Sequence, residues 1–77
     1  MSDRRPEIGG MYRHYRNGKL YRVLGVVRHS ESLEELVLYE TQYESELGRL
    51  WVRPLGMFLE PVAHEGRMVP RFALVEP

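Results

Sequence analysis

The chain has no cysteine, which excludes a disulfide framework and a thiolate metal site. It also has no apolar run longer than a few residues, which excludes a membrane-spanning helix. Its first ten residues are polar and are not followed by the apolar segment of a secretory signal. The net charge is zero, which argues against a general polyanion binder. We therefore expect a cytoplasmic protein stabilised by apolar packing alone, with no membrane partner.

The length of 77 residues leaves room for one domain with a thin stability margin. Repeats, low-complexity stretches and linkers are absent, so we predict a single domain over residues 1–77, with residues 1–9 as a flexible N-terminal segment. The five Tyr, one Trp and two Phe are the bulkiest residues available for the core.

Short extended segments separated by turns, without a long 3.6-residue period, predict an all-β fold. The most economical form is a small SH3-like barrel of about five strands, with a short 3₁₀ turn near residues 54–58, where Pro54 ends a strand. A small α+β fold remains open if residues 30–36 or 54–60 extend into a helix.

Asn17 and Gly18 predict a tight hairpin, because a type I′ turn needs positive φ at both central residues. A two-residue loop would set Tyr12 opposite Val23 and put the tyrosines on the core face. The opposite face would then carry three arginines: Arg13, Arg22 and Arg28.

Charge is distributed unevenly along the chain. Residues 1–30 hold seven basic side chains against two acidic ones, whereas residues 31–48 hold six glutamates and no base. Two interpretations stay open: the blocks neutralise each other across neighbouring strands, or a basic face is directed at an anionic partner.

Arginine and aromatic side chains provide the candidate binding surface, since guanidinium groups match phosphate and carboxylate geometry and aromatic rings beside them suit single-stranded nucleic acid. Most aromatic residues are expected in the core, with Trp51 and Phe58 partly exposed. The candidate site residues are Arg13, Arg22, Arg28, Trp51, Arg53 and Phe58. If glutamates pair with these arginines, the surface loses its basis.

Catalytic, metal and cofactor motifs are not recognisable. His14, His29 and His64 lack the close, turn-defined spacing of zinc ligands, and Gly9-Gly10 precedes a strand where a phosphate-binding loop needs a helix. No general acid–base pair stands out. We predict no cofactor, no metal and no enzymatic activity.

Several phrases, in order and spacing, resemble a mostly bacterial domain-of-unknown-function family, number 1653. They are Tyr12-Arg13-His14-Tyr15, Val23-Leu24-Gly25-Val26-Val27-Arg28-His29-Ser30-Glu31, Leu50-Trp51-Val52-Arg53-Pro54, Met57-Phe58 and Val69-Pro70-Arg71-Phe72. The resemblance spans about residues 10–72. It departs from the family at residues 43–48, a stretch that such sequences often shorten. It implies a compact SH3-like β-barrel and no established activity, cofactor or partner.

The first functional hypothesis is a non-enzymatic interaction module that binds an acidic peptide, a protein or a nucleic acid through the arginine and aromatic face. A second is a structural subunit, either a monomer or a weak homodimer that associates through surface apolar residues. Those apolar residues are Leu24, Val26, Leu36 and Leu38. The third is a small enzyme or metal protein, against which the short chain argues.

Overall fold

Strands make up most of the molecule. The computed structural model describes residues 5–76, in which no helix is long and apolar enough to cross a membrane. Its elements are β1 (Met11–His14), β2 (Leu20–Arg28), β3 (Glu35–Thr41), β4 (Leu50–Pro54), α1 (Leu55–Leu59), β5 (Pro61–His64), β6 (Arg67–Pro70) and β7 (Phe72–Glu76). The all-β class is confirmed. The strands number seven instead of about five, and the predicted turn near residues 54–58 is a single α-helical turn.

The strands form two antiparallel sheets. Five follow the order β4-β3-β2-β1-β7, and β5 and β6 form a separate hairpin. Within residues 5–76 the larger sheet ends at β4 and β7, so it stays open and does not close into a barrel. One side of this sheet, which we call the inner face, packs against α1; the other is the outer face.

Aromatic side chains fill the core on the inner face. The Phe58 ring from α1 is 1 % exposed and stacks on Phe72, with ring centroids 4.2 Å apart. Tyr12 meets the edge of Phe58 at 5.5 Å. The buried core consists of Tyr12, Tyr21, Val23, Val37, Tyr39, Phe58 and Phe72. The expectation of a partly exposed Phe58 was therefore wrong, because the helical turn directs this ring beneath the sheet.

The hairpin between β1 and β2 differs from its predicted register. Tyr12 faces Tyr21 and Arg13 faces Leu20, so residues 15–18 form a four-residue loop instead of a two-residue one. Tyr15 donates its backbone N–H to the Arg71 carbonyl at 3.0 Å, which draws it toward β7 and away from Leu20. The register moves by two residues, so the tyrosines keep the inner face.

A β-bulge interrupts the pairing of β2 with β3 between Val23 and Gly25. Val23 faces Tyr39 before the bulge, whereas Val26 faces Val37 after it. Both partners belong to the buried core, so the extra residue reverses the alternation of β2. Val26 and Arg28 therefore lie on the inner-face side of the strand. The prediction that placed Arg28 on one face with Arg13 and Arg22 was therefore wrong.

Residues 5–9 make defined contacts with the sheet. The Arg5 guanidinium binds both carboxylate oxygens of Glu35, at 3.0 and 3.2 Å. The Glu7 N–H donates to the Tyr12 hydroxyl at 2.8 Å, and the Gly9 N–H donates to the Val23 carbonyl at 2.7 Å. The remainder of the predicted flexible segment, residues 1–4, lies outside the described residues.

Candidate binding groove

A groove lies at one end of the inner face, with loop 15–18 on one side and loop 42–49 on the other. It consists of three adjoining cavities of about 360, 430 and 580 Å³, which we call the basic end, the aromatic middle and the acidic end. Tyr21, Tyr39 and Arg53 line both the basic end and the middle. The middle and the acidic end share Tyr43, Glu44, Ser45 and Glu46. The groove is therefore continuous.

Arg53 is the central cation of the basic end. It lies on the inner face of β4 because it pairs with buried Val37. Its guanidinium lies 5.4 Å from the Phe72 ring centroid, and its Nε donates to the Tyr39 hydroxyl at 3.5 Å. No carboxylate in residues 5–76 is within ion-pair distance of it. A half-buried guanidinium thus keeps donors available for an incoming anion.

Two further arginines reach the basic end from other elements. Arg71, between β6 and β7, is anchored through Nε to the Met57 carbonyl at 3.0 Å and through Nη2 to Glu60 at 3.2 Å. Arg16, on loop 15–18, donates to the Tyr15 hydroxyl at 3.3 Å. Residues far apart in sequence therefore surround one cavity.

The pKa of His14 reflects partial burial and the positive charge at this end. Partial burial lowers the pKa of His14 below its ordinary 6.5, and the positive charges of Arg53, Arg71 and Arg16 lower it further. Three guanidinium groups thus act on one imidazole, and the neutral ring is favoured. A bound anion would oppose this effect.

Tyrosines and the single tryptophan line the aromatic middle. Tyr21 and Tyr43 share a hydroxyl–hydroxyl hydrogen bond of 2.8 Å, and their rings meet edge to face at 5.5 Å. The half-buried Trp51 donates its indole N–H to the Gly48 carbonyl at 3.2 Å. These contacts hold the rings in place, so the middle offers preformed aromatic surface beside its charged side chains.

The Tyr43 hydroxyl stays protonated. Burial, followed by the hydrogen bond with Tyr21, raises the pKa of Tyr43 to about 12. A phenol with so high a pKa is a hydrogen-bonding group and a poor general base at neutral pH.

Glutamates line the acidic end. Glu44 and Glu46 both lie on loop 42–49, and within the described chain neither makes an ion pair. Arg49 also lines this end, but Glu40 already binds it at 2.7 Å. Thr41 is 4 % exposed, and its hydroxyl has no hydrogen-bond partner among residues 5–76. The acidic end therefore presents oxygen atoms that lack donors.

The predicted site residues do not form one surface. Trp51 and Arg53 line the groove, whereas Phe58 is buried in the core. Arg13 is exposed on the outer face and, within the described part of the chain, has no ion-pair partner. The outer-face Arg22 opposes Glu40 and donates to the Gly9 carbonyl at 2.5 Å.

Arg28 lies at the opposite end of β2 from the groove. Its guanidinium is 3.9 Å from Glu35 and donates to the Leu33 carbonyl at 2.8 Å. The acidic block thus neutralises part of the basic block, as one of the two interpretations proposed.

Sequence reasoning did not propose most of the groove-lining residues as a site, among them His14, Tyr43, Arg16 and Arg71. His14 was considered and rejected as a metal ligand, and Tyr43 was one of the aromatic residues expected mostly in the core. Arg16 and Arg71 entered only through charge counts and through the motif Val69-Pro70-Arg71-Phe72. Residues 5–76 contain no group of three or more histidine or acidic side chains arranged to hold a metal ion.

The fold and the groove define a small all-β domain with an open five-stranded sheet and a charged, aromatic-lined groove. The chain belongs to the DUF1653 family of proteins of unknown function, whose family model matches residues 10–74. It is similar to a solved structure, the crystal structure of a DUF1653 protein from Bordetella bronchiseptica, at 36% identity and a TM-score of 0.83. That match covers 96% of this chain and 90% of the other. No functionally curated protein matches the chain.

Proposed function

We propose that this domain is a non-enzymatic interaction module that binds an acidic segment of a partner protein through the basic end of its groove. Arg53 carries the proposal: its guanidinium is half-buried, packs on Phe72 and has no carboxylate partner in residues 5–76. Since the cysteine-free chain suits a reducing compartment, a cytoplasmic setting belongs to the proposal.

The ligand group would be a carboxylate. A guanidinium donates two parallel hydrogen bonds to a carboxylate, and hydrogen bonds to charged groups contribute about 1.5–3 kcal/mol each. Arg53 and Arg71 are already oriented by neighbouring groups, which reduces the entropy lost on binding. Trp51, in the adjoining cavity, offers an apolar contact for the next residue of the segment.

A short acidic segment suits the groove better than a nucleic acid does. The chain has no net charge, and three of the four arginines that line the groove lie at one end, while Glu40 pairs with the fourth, Arg49. Glu44 and Glu46 at the other end would repel a continuous phosphate backbone. Nucleic acid is therefore the competing outcome of the test.

The test uses the fluorescence of Trp51, the only tryptophan in the chain, which lines the groove. An unlabelled peptide with a central Glu should change its emission, and Arg53→Gln should weaken binding about tenfold or more. Arg13→Gln removes the same charge from the outer face and should leave affinity unchanged. Equal affinities for both variants and the wild type would contradict the proposal.

A salt titration separates the two partner classes. Affinity for the acidic peptide should decline modestly as salt rises, because only one or two charges are engaged. A labelled single-stranded oligonucleotide should bind weakly if at all. Tighter oligonucleotide binding with a steep salt dependence would favour nucleic acid instead.

The outer face supports a second candidate function, self-association. Apolar side chains from three neighbouring strands lie side by side there: Leu24, Val27, Leu36, Leu38, Leu50 and Val52. Leu50 and Val52 are 54 % and 51 % exposed. A contiguous aliphatic patch of this kind marks an interaction surface, and a second copy would match it through two-fold symmetry. Val26, previously included in this patch, lies on the inner-face side of β2.

Light scattering tests self-association. The wild type should show a concentration-dependent rise in mass, and Val52→Lys should abolish it. Met68→Lys is the matched control, because Met68 is 64 % exposed on the separate β5–β6 hairpin. A wild type that stays monomeric at high concentration would remove this candidate and leave the groove proposal untouched.

A further inference from the structure

The two ends of the groove carry opposite charge. Arg16, Arg53 and Arg71 line or border the basic end, and Glu44 and Glu46 line the acidic end. The aromatic middle connects them through shared residues. A ligand that spans the groove therefore meets arginines at one end and carboxylates at the other, and Arg53, Glu44 and Glu46 also line the aromatic middle between them.

The cations near the acidic end are already engaged. Glu40 holds Arg49 at 2.7 Å, and the Lys19 ammonium lies 4.4 Å from the centroid of the Tyr43 ring. Neither cation forms an ion pair with Glu44 or Glu46. The two carboxylates thus remain available to an external cation.

Thr41 adds an independent observation at this end. Its side chain is almost fully buried, and its hydroxyl has no partner among residues 5–76. A hydroxyl oxygen and two carboxylates are all acceptors, and a lysine ammonium or an arginine guanidinium offers several donors at once. Unsatisfied buried polar atoms are uncommon in native proteins, so this buried hydroxyl sets the acidic end apart from the rest of the groove.

We infer that the groove recognises a bipolar peptide segment, in which an acidic residue binds at Arg53 and a basic residue of the same segment binds at Glu44 and Glu46. This inference rests on the proposed function and specifies its partner. An aromatic or apolar residue between the two charges contacts Trp51 and Tyr43 in the middle. Charge complementarity at both ends gives the segment a fixed direction in the groove.

The strand geometry sets the length of the groove between Arg53 and the start of the acidic end at Thr41. Arg53 pairs with Val37, and Thr41 at the acidic end lies four residues further along β3. At about 3.3 Å per residue, this separation is about 13 Å. An extended peptide covers the same distance in about four residues. The acidic and basic residues should therefore be about four positions apart.

The experiment uses three capped peptides that differ at one position. Each has a Glu and a central Leu, and the residue four positions after the Glu is Lys, Gln or Glu. Trp51 emission gives the affinities for the wild type, for Glu44→Gln with Glu46→Gln, and for Glu31→Gln with Glu34→Gln. The last variant removes the same charge from loop 29–34, at the opposite end of β2 and β3.

The wild type should bind the Lys peptide about threefold to tenfold more tightly than the Gln peptide, as expected for two partly exposed ion pairs. Glu44→Gln with Glu46→Gln should abolish this preference, and Glu31→Gln with Glu34→Gln should retain it. Equal wild-type affinity for the Lys and Gln peptides, or a preference that survives in the groove variant, would overturn the inference. The proposed binding at Arg53 would still stand if Arg53→Gln weakens binding of the Gln peptide. Both that proposal and the present inference fail if Arg53→Gln leaves the binding of this peptide unchanged.

Discussion

Phe58 offers the sharpest test of the packing, because its ring contacts core residues from several elements. Its side chain is 1 % exposed, stacks on Phe72 at 4.2 Å and meets Tyr12 and Tyr39 at 5.5 and 5.7 Å. Replacing it with leucine removes these aromatic contacts and keeps an apolar side chain. The change therefore probes ring packing with little risk of unfolding the domain.

The expected loss follows from these contacts. Each aromatic pair contributes about 0.5–1.5 kcal/mol beyond area burial, and the stacked pair with Phe72 is the closest. Part of that loss is recovered by the leucine methyl groups, so we expect Phe58→Leu to lower the free energy of unfolding by about 1–2 kcal/mol. For a domain of this size, 1 kcal/mol corresponds to about 4–8 °C in Tm.

Thermal and urea unfolding followed by circular dichroism measure this change. Leu47→Ala is the control, since Leu47 is 82 % exposed and its truncation should alter stability by less than about 0.5 kcal/mol. Phe58→Ala removes the whole ring and should lower the free energy of unfolding by about 3–5 kcal/mol. If Phe58→Leu and Leu47→Ala have the same stability as the wild type, the assignment of Phe58 to the core is refuted.

Two further predictions concern the hairpin loop and the basic end. Gly18 has a φ of +71°, so Gly18→Ala should lower the free energy of unfolding in urea by about 1 kcal/mol. Gly25→Ala is the control and should leave that free energy unchanged, because nothing lies within 4 Å of the added methyl group. Equal stability of the two variants would contradict the left-handed turn. In NMR titrations the His14 ring should titrate with a pKa below 6.5. The unfolded chain then binds the proton more tightly than the folded one, so the free energy of unfolding should decrease as the pH falls from 6.5 to the pKa of the folded state. Arg53→Gln and the acidic peptide should each raise this pKa, and an unchanged titration in Arg53→Gln would show that Arg53 does not act on His14.

The all-β class and most of the core follow from local patterns. Short runs rich in Val, Leu and Tyr, interrupted by turn residues, predict strands, and their alternation identifies Tyr12, Tyr21 and Val23 as inward-facing. This assignment withstood an error in the hairpin loop, because the register moved by two residues and a strand repeats every two. Predictions that depend only on that period are therefore robust.

The bulge in β2 shows where local patterns fail. A single extra residue after Val23 reverses the alternation, so Arg28 leaves the face shared by Arg13 and Arg22. Gly25 is a sequence signal for the bulge, because glycine inside a strand often marks one, but the residues that the bulge brings opposite each other depend on how β2 pairs with β3. The proposed arginine surface therefore could not be derived from the strand pattern alone.

Local sequence was thus sufficient for the all-β class, the positions of most turns and most of the aromatic core, because these depend on propensity and on a period of two. The groove required long-range contacts: Arg16, Arg53 and Arg71 come from three separate elements, and the cavity they surround exists only after those elements pack. Phe58 likewise became a core residue through the direction of a short helix. Which side chains meet across a fold depends on the pairing and packing of distant segments, and one chain's residue pattern carries little information about either.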